Sequence, residues 1–351
     1  MPKTVTFGEL MLRLSPPGYE RFLQSPLLVA TFGGGEANVA VSLANFGLES
    51  CYVTRLPAHD IGTAAVRALQ AEGVRTDRIL RGGDRIGVYY TEIGASQRPS
   101  TVIYDRARSA ISEMEPGSVP WAEVLSDADW FHCTGITPAL GPKAAACTRD
   151  ALTAARAGGV RVSMDLNYRR KLWTETEAQS VMRPLMAHVD VVIANEEDIQ
   201  SVLGLEVAGA DVHRGDLNPD DYRDVAERVT REFGVSQVAI TLRESRSASQ
   251  NGWSAVLFDA GSGRFHKSQK YDITVVDRIG GGDSFAAGLI YGLVTGRPVD
   301  AALRFAVAAS ALKHSIPGDF NRVSVKEVDQ LAGGDAAAAC SAEAPGPGAG
   351  T

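Results

Sequence analysis

The sequence predicts an α/β fold: a doubly wound, mainly parallel sheet flanked by helices, with a small β lid. Three observations predict it. Short β-branched runs alternate with amphipathic helical stretches. Four extended pieces stand outside that alternation. Two glycine clusters fall where extended segments turn into helices.

The expected buried strands are Val160–Met164, Val189–Ile193 and Val235–Ile240. Between and around them lie the helical segments Lys143–Ala157, Glu175–Ala187, Glu197–Leu203 and Asp220–Phe233. In such sheets ligands gather beyond the carboxyl ends of the strands. That rule singles out Asp165, Asn167, Arg169, Asn195, Thr241 and the run Asp277–Asp283. The pieces Phe7–Leu14 and Arg21–Phe32 flank Pro16-Pro17-Gly18, and Ile86–Ile93 pairs across a short loop with Ser100–Asp105. These four read as antiparallel strands of the lid. Residues 1–330 show no linker or internal repeat and read as one unit. Residues 332–351 are mainly Ala, Gly, Pro and Ser with no large apolar side chain, the composition of a disordered tail.

Of the 351 residues, 44% are hydrophobic and 22% charged, as in an ordinary soluble globular chain. A net charge of −7 argues against nucleic acid or an anionic membrane as partner. An anionic small ligand must then be held by local arginines and backbone dipoles. The amino terminus lacks a basic region followed by a long apolar run, and no stretch approaches membrane-spanning length, so a cytoplasmic location is expected. Cys51, Cys133, Cys147 and Cys340 are scattered without a metal-like spacing. The first three read as buried thiols.

The densest chemistry lies in Val275-Val276-Asp277-Arg278-Ile279-Gly280-Gly281-Gly282-Asp283. The glycines open a helix whose apolar side is Phe285, Leu289 and Leu293. Exposed N–H groups and the positive end of a helix make an anion cradle there. Asp283 is then either a plain N-cap or a base held beside a reacting phosphoryl group. The earlier Gly33-Gly34-Gly35-Glu36-Ala37-Asn38 opens a second helix but fails the G-x-G-x-x-G pattern, and no G-x-x-x-x-G-K-[ST] is present.

Together, Gly34-Gly35 with Asn38 and Asp277 with Gly280, Gly282 and Asp283 resemble the paired motifs of the ribokinase/PfkB carbohydrate kinases. The resemblance runs over about residues 1–330. It implies that Asp283 is the catalytic base and that Gly280, Gly281 and Gly282 form the anion hole. It implies ATP with Mg2+ as cosubstrate, and it raises a monovalent cation near Ile273–Asp277. Asn167, Asn195, Thr241 and Arg243, with Gly280 and Gly282, fall on the nucleotide side. Asn195 and Asp198 match the family's Asn-x-x-Glu magnesium element, with Asp198 one methylene shorter and acting through water. Arg243 departs from the usual glycine of the nucleotide loop.

Arginines that end strands suit a carboxylate better than a neutral sugar. The pattern is similar to the kinases of 2-keto-3-deoxygluconate within the family. That likeness places Gly34, Asn38, Tyr90, Tyr104, Arg106, Arg169 and Asp319 around a sugar acid, phosphorylated at its terminal hydroxyl. The galactonate epimer and a neutral sugar such as fructose are the alternatives, with a non-catalytic sugar-binding protein behind them. Pairing of lid strands between subunits is expected to give a homo-oligomer.

Overall fold

The computed structural model describes residues 1–195, 197–206 and 219–334. Among these, the main sheet runs in the order Arg264–Lys267, Gln250–Asp259, Gln237–Ser245, Val191–Asn195, Arg161–Asp165, Trp130–Thr134, Lys3–Phe7 and Glu49–Val53. Tyr271–Thr274 joins it alongside Gln250–Asp259. Every pair from Glu49–Val53 to Gln237–Ser245 is parallel. The pairs made by Gln250–Asp259 are antiparallel. A mainly parallel, doubly wound sheet is therefore present. Its antiparallel edge arises because Gln237–Ser245 and Gln250–Asp259 are joined by a tight hairpin, which needs no crossover helix.

The strands are continuous apolar runs because both faces are covered. Val192 and Ala194 bury against helices Pro142–Ala157, Glu175–Leu185 and Tyr222–Phe233. Their neighbours Val191 and Ile193 point the other way, into helices Gly35–Asn45, Gly281–Val294 and Val299–Lys313. Each such valine or isoleucine contributes about 1.5–3 kcal/mol by leaving water. Helices Gly281–Val294 and Val299–Lys313 approach closely because small residues face one another. A Cβ on Gly288 would lie 2.7 Å from Ala306 Cα, and one on Gly292 would lie 2.6 Å from Ala302 Cβ. This close seam carries Lys313 and His314 up against Gly280 and Gly281.

The lid is a separate sheet in the order Val29–Gly33, Met11–Ser15, Gly87–Glu92, Thr101–Asp105. The expected hairpin between Ile86–Ile93 and Ser100–Asp105 is there. Two expectations are corrected. Phe7–Leu14 is not one piece: Lys3–Phe7 lies in the main sheet and Met11–Ser15 enters the lid. Met11–Ser15 also pairs parallel with Gly87–Glu92, since the chain between them passes through main-sheet strand and helix rather than a turn.

Cys51, Cys133 and Cys147 are buried free thiols, as expected. Most of the expected tail, residues 335–351 with Cys340, lies outside the described residues, as does Glu196. Among the described residues no helix is long and apolar enough to cross a membrane.

Candidate active site

A cavity of about 350 Å³ lies beyond the carboxyl ends of the central strands, beneath the lid. The strand-ending residues converge on it: Asp165, Asn167 and Arg169 after one strand, Asn195 at the end of the next, then Thr241 and Arg243. The last two are two residues apart, so they share a face of Gln237–Ser245. Gly34 and Asn38 enter from the start of helix Gly35–Asn45, and Gly280, Gly282 and Asp283 from the start of Gly281–Val294. Tyr104 and Asp319 close the lid side.

Gly280 is the N-cap of its helix, with a left-handed φ of 83°. A Cβ there would sit 2.2 Å from the Asp319 carbonyl oxygen, so only glycine fits. Asp283 is thus in the first turn and caps nothing, which removes the plain N-cap reading. Gly281 N–H donates to Arg278 O at 3.4 Å and Ser284 N–H to Gly280 O at 2.9 Å. The N–H groups of Gly282 and Asp283 make no backbone hydrogen bond to other described residues and remain available to an anion. Gly281 differs from the expectation, since it does not line the cavity. A Cβ on it would meet the His314 ring at 2.5 Å. That ring is held against Trp253, centroid to centroid 5.1 Å, and by Nδ1 on Ser310 O at 2.7 Å.

Asp283 receives a hydrogen bond from Asn38 Nδ2 at 2.6 Å, and Asn38 Oδ1 in turn accepts from Gly34 N at 3.2 Å. The second bond fixes the amide so that its NH2 faces the carboxylate. Burial pushes Asp283 up to about 6, opposed by the Asn38 hydrogen bond and the charges of Arg169 and Lys313. A carboxyl group so tuned is a competent proton acceptor near neutral pH.

The cavity lining sets three arginines, Arg169, Arg243 and Arg278, among four carboxylates, Asp165, Asp198, Asp283 and Asp319. Arg169 and Arg243 are exposed to it and make no side-chain hydrogen bond or ion pair among the described residues. Arg278 donates to Ala248 O at 3.1 Å while its Nε is buried without a partner. Burial, and next the charge of Arg243, lower the proton affinity of Arg278.

Three further expectations meet a different geometry. Tyr90 faces away from the cavity, and Tyr89 lines it, because strand residues alternate and Tyr89 stands opposite Tyr104 in the lid register. Arg106 does not line the cavity; its guanidinium is buried on Glu9, with Nε donating at 2.7 Å, and lies 5.3 Å from the Tyr104 ring. Asp198 lines the site, but its carboxylate accepts from Tyr168 N at 3.0 Å and Asn195 N at 3.1 Å, tying two loops together. Asp165 is less committed: among the described residues its oxygens accept hydrogen bonds only from Asn167 N at 3.1 Å and Asn167 Nδ2 at 3.4 Å. Burial, then Asp198 and Asp283, hold Asp165 well above the usual carboxylate range. Its neighbour Asn167 has φ 39°, a left-handed conformation that asparagine tolerates. Among the described residues no group of three or more His, Cys, Asp and Glu could enclose a metal.

A doubly wound sheet, a lid, a helix-terminus anion cradle and a tuned carboxylate together describe a kinase of small metabolites. The chain belongs to the pfkB family of carbohydrate kinases, whose signature matches residues 1–323. The 2-dehydro-3-deoxygalactonokinase of Haloferax volcanii is 34% identical over 335 residues, covering 95% of this chain and 97% of that protein. The crystal structure of 2-dehydro-3-deoxygluconokinase from Thermotoga maritima is 52% identical, with a TM-score of 0.91, over 95% of this chain and all of that one. A ribokinase II homologue from E. coli, solved with ATP and Mg2+, is 18% identical with a TM-score of 0.75 over 94% of this chain and 99% of that one, and shares the fold.

Proposed function

We propose that this kinase transfers the γ-phosphoryl group of ATP to the terminal hydroxyl of 2-keto-3-deoxygluconate, giving 2-keto-3-deoxy-6-phosphogluconate and ADP. The observation that carries an acid substrate is Arg169, a cavity arginine that makes no side-chain hydrogen bond or ion pair among the described residues, beside Tyr104 and the Asn38–Asp283 pair. A guanidinium pairs a carboxylate in two parallel hydrogen bonds; a neutral sugar such as fructose would leave it unmatched. The named activity of the Thermotoga maritima protein supports the same reading. The Haloferax volcanii relative supports a second, the galactonate epimer as substrate.

In this reading Gly34, Asn38, Tyr89 and Tyr104 surround the sugar acid, and Asp319 holds Tyr89 by accepting from its hydroxyl at 2.5 Å. Asp283 takes the proton of the attacking hydroxyl as its oxygen bonds to the γ-phosphorus and the bond to ADP breaks. The N–H groups of Gly282 and Asp283 receive the transferring phosphoryl oxygens. Asn167, Asn195, Thr241 and Arg243 flank the nucleotide. Asp165 and Asn195 would be the protein neighbours of Mg2+, which would neutralise charge on the phosphates. Arg106 supports Tyr104 from behind rather than touching substrate.

The lid and the segment leading into it leave Leu23, Leu27, Leu28, Val29 and Ile103 exposed. An apolar surface of that kind supports a homo-oligomer joined through the lid, which sedimentation velocity tests: a monomer at micromolar concentration contradicts it. The function itself is tested by ATP consumption with 2-keto-3-deoxygluconate, its galactonate epimer and fructose.

A further inference from the structure

The resemblance to carbohydrate kinases raises a monovalent cation near Ile273–Asp277, and the residues there can be set against such an ion. Both oxygens of Asp277 are engaged. Oδ1 accepts from Ile279 N at 3.1 Å, and Oδ2 accepts from Gly318 N at 3.0 Å and from Arg13 at 2.7 Å. The neighbouring carboxylate, Asp319, accepts from the same Arg13 at 2.8 Å. Beside them is a second protein cation. Lys313 is the last residue of helix Val299–Lys313, has no exposed surface, and donates from Nζ to Ile316 O at 3.0 Å. Its charge is felt at Asp277, Asp319 and Asp283. Its Cε lies 3.3 Å from where Gly280 would carry a Cβ.

A lysine is almost never fully buried unless its charge is used, because taking an ammonium out of water is expensive. The proton transfer described above does not use this one. The two carboxylates are already committed to Arg13, and the Ile316 carbonyl to Lys313. A third positive charge among them would be repelled in a medium that screens poorly. The monovalent ion does not fit.

We infer that the Lys313 ammonium is the resident cation of the anion cradle, holding the Asp277–Gly280 turn in place of a monovalent metal ion. Lys313 is thus a positioning residue, acting through Gly280 on the N–H groups that meet the phosphoryl group. The kinetic part of this inference rests on the kinase reading; the binding part does not.

The test uses the full chain at constant ionic strength, in tetramethylammonium chloride against KCl and NH4Cl. The wild type is expected to keep the same Tm within about 1 °C, since an ion that binds the native state would raise it by mass action. Its kcat is expected to change less than twofold. A potassium-dependent rise in wild-type Tm or a severalfold gain in kcat overturns the inference, whatever the variants do, and the Tm arm reads even if no tested acid is turned over. Lys313→Ala is expected to lose at least tenfold in kcat in tetramethylammonium and to regain a saturable part of it, with a higher Tm, in K+ or NH4+. Lys313→Gln keeps a donor for Ile316 O without the charge and serves where the alanine variant does not fold. A folded variant with wild-type kcat, or a slowed one that no cation rescues, overturns the role of the ammonium.

Discussion

Asn38 Nδ2 and Asp283 Oδ2 meet at 2.6 Å across 245 residues of sequence. This contact joins the two glycine motifs, each at the start of a helix, into one site. Asp283 also lines the cavity, where an alcohol would have to lie.

Replacing Asp283 by Asn removes the proton acceptor while keeping the shape. Turnover should fall roughly a hundredfold or more, with KM for ATP little changed. Because the ionised carboxylate is disfavoured by burial, the same change should stabilise the fold at pH 8, by about 1 kcal/mol once the water-facing part of the side chain is allowed for. A thermal melt beside the kinetic assay reads both. Near-wild-type kcat would remove Asp283 from the chemistry.

The pH dependence follows from the same group. Its folded pKa, about 6, stands above the ordinary aspartate value of 3.8. Folding therefore takes up a proton between those values, and this contribution to stability is full below the lower one and is lost as pH rises through the upper one. Activity runs the opposite way, so kcat/KM should fall as pH drops through about 6. Asn38→Asp places a second carboxylate against the first and should move that acid limb upward by about a unit or more. An unshifted limb would assign it to another group.

Arg169→Ala should raise KM for the sugar acid by roughly tenfold to a hundredfold, the loss of a charge-assisted pair of about 1.5–3 kcal/mol. Its effect on kcat should be smaller. Arg106→Ala should raise KM less, since that guanidinium is committed to Glu9. Steady-state kinetics on both variants decides. A larger effect at Arg106 would mean that it exchanges Glu9 for the substrate.

Gly281→Ala forces its new methyl into the His314 ring, 2.5 Å away. Overpacking of that kind typically costs about 1–3 kcal/mol. Denaturant unfolding should show the loss, and His314→Ala in the same chain should recover part of it. Additive losses would mean that the ring is not the obstacle.

That last contact marks where the sequence stops being readable. The glycine run shows plainly in the sequence, but the reason for a third glycine at 281 lies in His314, 33 positions on and placed by the Gly288–Ala306 and Gly292–Ala302 seam. The strand-ending residues were legible because period and strand direction alone bring them to one edge. Tyr89 was not, because which tyrosine faces inward depends on the lid register. Opposing Tyr89 to Tyr104 settles it. The commitments of Arg106 to Glu9 and of Arg13 to Asp277 and Asp319 join residues 97 to 306 positions apart, and no local pattern announces such pairs. Lys313 left only a faint trace, a charge closing the apolar second half of a helix whose other charges, Asp300 and Arg304, lie in its first half.

The central claim is that this kinase phosphorylates a sugar acid, with Asp283 as base. It is tested most directly by coupled ADP production from ATP with 2-keto-3-deoxygluconate, its galactonate epimer and fructose, on the wild type and Asp283→Asn. The expected result is kcat/KM at least about tenfold higher for 2-keto-3-deoxygluconate than for fructose, as fits an arginine–carboxylate contact, and near-complete loss in the variant. Equal turnover of fructose, or no ADP from either acid, would contradict it.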